Sequence, residues 1–471
     1  MDILMFPEVF KMDQTMHVTV ADMMAAREAR AMAQMALLQK HKGAVVVYLT
    51  MNIPGPLKRS DLFDRAFDAG EHAVRAILAP HRTHFAHAIR EKTGCEAIFC
   101  VEGDPIEIKR RLCALDDGQP IGRLWDVDVL YGMGEKVSRT DIGLPPRKCL
   151  LCDQDAPVCA RSRAHTVDAL VQKANALITE HFKEAFIRRA AQMAQRALLS
   201  EVAISPKPGL VDRENSGAHR DMDVFTFIDS ACALREYFET CARTGFMHQS
   251  AADCFAALRA PGLLAEAAMQ KATHGVNTHK GAIFSLGIFC ASLSMGFDGE
   301  TSDVSAALLR CGEMTRAQMD TELSALAARE AVTFGEALFK KTGSGGVRAE
   351  AAQGFPSMRD ISLPRFEQAM AAGLSLNDAG LCALVALMAH VQDTNAVKRG
   401  TQQGAQAMQE TAAALDRFIA AALKENAFAQ LDLLGRMRAF DADLTQKNIS
   451  PGGCADLLAL TLLAHFMQEN T

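Results

Sequence analysis

Beyond about residue 165 the chain changes texture, and that change limits its architecture more than any single motif. Long Ala-, Leu- and Met-rich segments at helical spacing run to residue 471 with almost no β-branched runs, so residues 185–471 are expected to be all helical. The first third differs. Residues 43–50, 97–101 and 124–131 are β-branched or aromatic runs bounded by Gly or Pro, with helical stretches near 59–78 and 105–116 between them. They predict three strands in an α/β or α+β domain over residues 1–178, followed by an all-α domain over 179–471. A multidomain chain also suits 471 residues, which exceed one ordinary core. No Pro/Gly linker marks the junction near 172–186.

Charge and cysteine usage narrow the setting. A net charge of −6 speaks against general nucleic-acid binding, while leaving room for a local basic grip on an anionic substrate. Thirteen cysteines, an odd number scattered through helix-like segments, predict reduced thiols in a cytoplasmic protein rather than a disulfide scaffold. Asp2 and the lack of a basic stretch before an apolar core predict no secretory signal. The longest uncharged run, 281–297, is slightly short for a membrane span and rich in Gly, Ala and Ser, so a buried helix and no membrane partner are expected.

The sharpest chemical signal is residues 122–129, which carry the only Trp and set Asp126 and Asp128 two apart in an apolar, strand-like run. Alternate strand residues share a face, and two adjacent carboxylates there are unfavourable unless a cation lies between them. The expectation is Mg²⁺ held for phosphate chemistry, with Arg123 beside it and the pair on a central strand. Solvated edge-strand carboxylates are the plainer alternative. Asn52-Ile53-Pro54-Gly55-Pro56-Leu57-Lys58 follows a strand directly, which makes it either a ligand loop or a simple turn. Cys149-x-x-Cys152, then Cys159 and His165, has the composition of a structural zinc site, although these cysteines could equally pack as small apolar residues. Arg161 and Arg163 between them suit an anionic ligand.

Three polar islands interrupt the helical region: residues 205–223, residues 275–281, and the pair 343–348 with 392–395. Asp212, Asp221, Asp223 and Asp393 are candidates for a second carboxylate cluster around Mg²⁺. His219, His279, Lys280 and Arg348 are candidates for neutralising phosphates or for acid–base work. Asn277 or Thr278 would cap the following helix, and Gly343 to Gly346 could form an anion nest. For any one of these residues, a helix cap or surface ion pair is an equally good reading.

These motifs resemble two families. Asn52-Ile53-Pro54-Gly55, residues 122–129, Ser138-Arg139 and the stretch from Cys149 to His165 resemble apo-citrate lyase phosphoribosyl-dephospho-CoA transferase. The islands Pro206 to Asp212, Gly217 to Met222, Asn277 to Phe284 and Asp393 to Asn395 resemble triphosphoribosyl-dephospho-CoA synthase. Ala349 and Thr401 stand where that second family commonly has Gly. The chain as a whole resembles a bifunctional fusion of the two, with a nucleotidyltransferase-like first domain.

The resemblance implies that the helical part joins ATP and 3'-dephospho-CoA, releasing adenine. The first part would then attach the phosphoribosyl-dephospho-CoA unit to a serine of the apo acyl carrier (gamma) subunit of citrate lyase, releasing pyrophosphate. It assigns catalysis to Asp126, Asp128, Arg123, Asp212, His219, Asp221 and His279. Substrate binding falls to Asn52, Lys58, Arg161, Lys207, Asn277, Lys280, Arg348 and Asn395, and Mg²⁺ to Asp126, Asp128, Asp221 and Asp393. Alternatives are the equivalent enzymes of malonate decarboxylase, or a transferase whose helical part is a non-catalytic carrier-binding or dimerisation module. A homo-oligomer stays open.

Overall fold

The computed structural model describes residues 17–327, 329–331, 337, 340, 345–425, 427–428 and 431–469. Gly343 and Ser344 of the expected anion nest lie outside them. The chain divides into two compact units, Met1–Phe182 and Lys183–Thr471.

The first unit is built on one antiparallel sheet of strands β1 (Val45–Met51), β2 (Thr83–Glu91), β3 (Gly94–Val101), β4 (Trp125–Tyr131) and β5 (Glu135–Lys136), in the order β2-β3-β1-β4-β5. Of the two readings, α+β is therefore the one realised. β1, β3 and β4 coincide with the three expected runs. β2 was not expected, because it is an edge strand whose Thr, His, Ala and Arg side chains are mostly exposed, leaving no hydrophobic alternation to read. The Asp pair lies on β4, an interior strand but not the middle one. That position belongs to β1, whose residues Val45 to Leu49 are buried on both faces, and β4 stands between β1 and the two-residue β5.

Helices flank both faces. On one, Val45, Val47, Leu49, Phe99, Val127 and Val129 pack with Phe63 and Phe67 of α2 (Asp61–Leu78) and Ile108 and Leu112 of α3 (Pro105–Asp117). On the other, Leu38 of α1 (Val20–Lys40) packs with Val46, Tyr48 and Ile98. Trp125 is buried and donates its indole N–H to the Ala66 carbonyl at 2.9 Å. A Cβ on Gly70 would lie 2.6 Å from that indole nitrogen, so α2 needs glycine where it crosses the ring.

After the short α4 (Ala156–Ser162), α5 (Val167–Ala203) runs through the position where the two units divide. Its early residues Ala174 and Ile178 belong to the first core, and Phe186, Ile187 and Ala190 belong to the second. A junction inside one helix explains why the sequence has no linker there.

Everything described after α5 is helix or loop: α6 (Val224–Ala233), α7 (Arg235–Met247), α8 (Ala251–Ala272), α9 (Lys280–Met295), α10 (Val304–Ala327), α11 (Gly346–Ala352), α12 (Leu363–Ala371), α13 (Leu376–His390), α14 (Thr394–Arg399), α15 (Gln402–Lys424), α16 (Leu433–Gln446) and α17 (Gly452–Gln468). The helices apolar on all sides, α9, α13 and α17, form the centre, as the uncharged run 281–297 predicted. Among the described residues no helix is long and apolar enough to cross a membrane.

Candidate active sites

In the first unit, strand alternation sets Asp126 and Asp128 on the face shared with Thr50 and Tyr48, their partners on β1. Asp128 is ion-paired with Lys136 of β5 at 2.5 Å. Asp126 is exposed, and its carboxylate has no hydrogen-bond or ion-pair partner among the described residues. On the same face, Glu96 accepts from the Tyr48 hydroxyl and pairs with Arg30 of α1. Burial and the Glu96 carboxylate push the Tyr48 phenol up, so it stays a hydrogen-bond donor.

Other expected residues of this unit are placed less directly. Arg123 donates to the carbonyls of Lys148 and Cys149, fastening the cysteine segment. The Lys58 ammonium donates to the Ile53 carbonyl, curling the loop after β1 on itself, and burial, then Arg27, pulls it below the ordinary range. Asn52 is exposed at the head of that loop, and Arg161 is exposed on α4.

In the second unit the polar islands converge. A cavity of about 320 Å³ takes Lys207, His219 and Asp221 from the first island, Asn277, His279 and Lys280 from the second, and Asn395 from the third. The loop supplying Lys207 is held by Asp212, which is buried and accepts from the N–H groups of Lys207 (2.6 Å), Glu214 (2.6 Å) and Asn215 (3.1 Å). Asp212 thus shapes the site from beneath. Lys207 itself is 1% exposed and paired with Glu201. The Lys280 ammonium pairs with Glu266 at 2.8 Å.

The remaining expected residues part company here. Asp223 is the exposed N-cap of α6, bonded reciprocally with Thr226. Asp393 caps α14, accepting from Asn395, Ala396 and Cys454 at 2.8–3.0 Å, and it lines a different cavity from Asp221. The structure does not bring those two carboxylates onto one ion. Arg348 pairs with Glu322 at 2.8 Å and lines a third cavity of about 410 Å³, together with Glu266.

Both site histidines are held neutral. Burial, then Lys207, drops the His279 imidazole to about 3, and burial, then Arg399, drops His219 to about 4. Thr278 donates to Ser230 Oγ at 2.8 Å, and Ser230 Oγ shares a hydrogen bond of 2.7 Å with His279 Nδ1. His219 Nε2 bonds Ser450 Oγ at 2.8 Å, and its Nδ1 lies 3.9 Å from Asp221. An unfolded histidine titrates near 6.5. Below that pH the unfolded chain takes up a proton that buried His279 refuses, so stability falls with pH. Between pH 7 and 5 the wild type is expected to lose about 2 kcal/mol through this group alone. Urea unfolding of wild type and His279→Gln at both pH values checks it, and a stability gap that does not shrink at pH 5 rules it out.

Three groups at this cavity carry no sequence signal of their own. Glu201 ends α5, and Ser450 and Asp456 flank and enter α17, each among apolar neighbours. Asp456 is held well above the usual carboxylate range by burial and by the nearby Glu201. Gly281 is the one local trace of it: a Cβ there would lie 1.9 Å from Asp456 Oδ2.

With the geometry in view, comparison with known proteins is direct. Residues 18–181 match the family model of apo-citrate lyase phosphoribosyl-dephospho-CoA transferase, and residues 187–471 match that of ATP:dephospho-CoA triphosphoribosyl transferase. Protein CitXG of Haemophilus influenzae is 35% identical over 94% of this chain and 95% of its own length. Protein CitXG of Leuconostoc mesenteroides is 31% identical over 93% and 94%. The 2-(5''-triphosphoribosyl)-3'-dephosphocoenzyme-A synthase of Haemophilus ducreyi is 36% identical, covering 66% of this chain and 98% of its own. The chain therefore belongs to the family of fused transferases that build the citrate lyase prosthetic group and attach it.

Proposed function

We propose that the helical unit joins the dephospho-CoA ribose 2'-hydroxyl to the anomeric carbon of ATP's ribose, expelling adenine. The α+β unit, read as nucleotidyltransferase-like, then passes the phosphoribosyl-dephospho-CoA moiety to a serine of the citrate lyase acyl carrier subunit, expelling pyrophosphate. The observation that carries this is the convergence of three distant islands on one cavity holding both signs of charge.

In the helical unit, departure of adenine builds positive charge on the ribose, and Asp221 at the cavity suits its stabilisation. His219, neutral at pH 7, suits acceptance of the hydroxyl proton. Lys280, Lys398 and Arg399 face the triphosphate, and the neutral His279 ring lines the same cavity.

In the α+β unit, Asp126 and Asp128 suit Mg²⁺: they share a face, and the Lys136 ammonium beside Asp128 marks a position that accepts a cation. The ion would offset charge on the leaving pyrophosphate. Thirteen free thiols suit a reducing, cytoplasmic setting.

The test is a coupled assay with ATP, dephospho-CoA, Mg²⁺ and apo carrier, read by adenine release and by intact mass of the carrier. The expected result is adenine release that depends on dephospho-CoA, followed by a carrier mass gain of one phosphoribosyl-dephospho-CoA. Adenine release without carrier modification, or modification only of a malonate decarboxylase carrier, overturns the reading.

A further inference from the structure

The cysteines between β5 and α5 form an arrangement that neither transferase reaction uses. Cys149, Cys152, Cys159 and His165 each offer one ligand atom, and all four atoms lie within 4.8 Å of one another. Among the described residues this is the one group of three or more His, Cys, Asp or Glu so placed.

The spacing is that of a tetrahedral shell. Zinc–sulfur bonds of about 2.3 Å and zinc–nitrogen bonds of about 2.0–2.1 Å put sulfurs about 3.8 Å apart and sulfur and nitrogen about 3.6 Å apart. Cys152 Sγ and Cys159 Sγ are 3.7 Å apart, and His165 Nε2 is 3.4 Å from Cys152 Sγ.

The backbone is shaped for the same end. Cys149 N–H donates to the Gln154 carbonyl at 2.7 Å and Ala156 N–H to the Arg147 carbonyl at 2.8 Å, closing a tight turn that carries the first two cysteines. Within it the Leu151 N–H points at Cys149 Sγ at 3.5 Å, as a sulfur accepting a hydrogen bond requires. The third cysteine comes from α4, and the histidine follows that helix.

Packing gives the independent reason. Leu151 is 38% exposed and Val158 is 54% exposed, so beyond buried Cys159 and the partly buried Leu150 the segment has little apolar packing. A stretch this short and this poorly buried needs a staple.

We propose that Cys149, Cys152, Cys159 and His165 bind one structural zinc ion. Four protein ligands close the shell and leave no position for substrate, so the ion's work is to hold the segment. That segment is in turn tied to the start of the acidic strand: Arg123 donates to the Lys148 and Cys149 carbonyls, and Arg147 donates to the Trp125 carbonyl at 2.7 Å. Zinc thereby fixes the backbone leading into Asp126.

The test uses the full chain purified under reducing conditions in zinc-free buffers. Elemental analysis is expected to find zinc equimolar with chain, and chelation of the folded protein to release it together with newly reactive thiols at Cys149, Cys152 and Cys159. Cobalt exchanged into the site is expected to show thiolate-to-cobalt charge transfer and the red absorption of tetrahedral Co²⁺. Cys152→Ser loses the metal, whereas Cys232→Ser, at an exposed cysteine outside the cluster, keeps it. Wild-type protein that is folded, free of zinc and silent towards cobalt overturns the proposal, as does a disulfide between Cys152 and Cys159. The wild-type measurements stand even if Cys152→Ser does not fold.

Discussion

Asp126→Asn is expected to abolish modification of the carrier subunit while adenine release continues at the wild-type rate. The separation follows from where the side chain sits. Asp126 is exposed on β4, with no side-chain partner among the described residues, so its charge contributes little to folding. Exposed substitutions of this kind usually change stability by less than about 0.5 kcal/mol. On the proposed reading its worth lies in what it offers a substrate. Transfer to the carrier serine expels pyrophosphate, and the charge gathering on the departing oxygens must be met by a cation. Removing one electrostatic participant of a transition state costs about 10²–10³-fold in rate. Intact mass of the carrier, with pre-made triphosphoribosyl-dephospho-CoA supplied, reads that loss directly. Asp128→Asn tests the other half of the pair and also frees Lys136, so it should act in the same direction. Carrier labelling at the normal rate by Asp126→Asn would remove the acidic strand from the chemistry.

What could be read from the sequence, and what could not, divides along a physical line. Local signals survived folding: runs of β-branched residues became β1, β3 and β4, and the uncharged run became the buried α9. Polar islands were legible as parts of a site because loops between apolar helices stand out, and their members Lys207, His219, Asp221, Asn277, His279, Lys280 and Asn395 do meet. Three kinds of information were not local. Strand β2 is made by hydrogen bonds to β3, with its own side chains mostly exposed. Glu201 and Asp456 each lie within an apolar helical stretch, and only the packing of α5 and α17 puts them at the cavity. Arg348 and Asp393 belong to islands near in composition to the others but line other cavities: one is paired with Glu322, and the other accepts from backbone N–H groups. Composition shows that a carboxylate is present, whereas its partners decide whether it is free to act.

Lys207 poses that question most sharply, and its replacement is expected to have the largest effect on folding. The Lys207–Glu201 pair is buried on both sides, at 1% and 4% side-chain exposure. Breaking such a pair by removing one member leaves an uncompensated charge, so Lys207→Met should cost about 3–5 kcal/mol, read by urea unfolding. Burial already raises the Glu201 carboxyl, with Asp212 adding to it and Lys207 opposing it. Without Lys207 that carboxyl rises further and takes up a proton in the folded state. A folded pKa above the unfolded one gives stability that is lost as pH rises, so the deficit of Lys207→Met should be greater at pH 8 than at pH 6. Removing both charges behaves differently. Lys207→Met with Glu201→Leu replaces the pair by apolar groups and should recover most of the lost stability, since a buried ion pair and a well-packed apolar pair are often near equal. It also relieves Asp456, whose carboxyl is raised in part by Glu201. If Lys207 faces substrate as well as Glu201, the refolded double variant still fails to release adenine from ATP, while carrier labelling from the pre-made intermediate proceeds normally. Recovery of adenine release together with stability would reduce the pair to scaffolding and leave Lys280, Lys398 and Arg399 to hold the triphosphate.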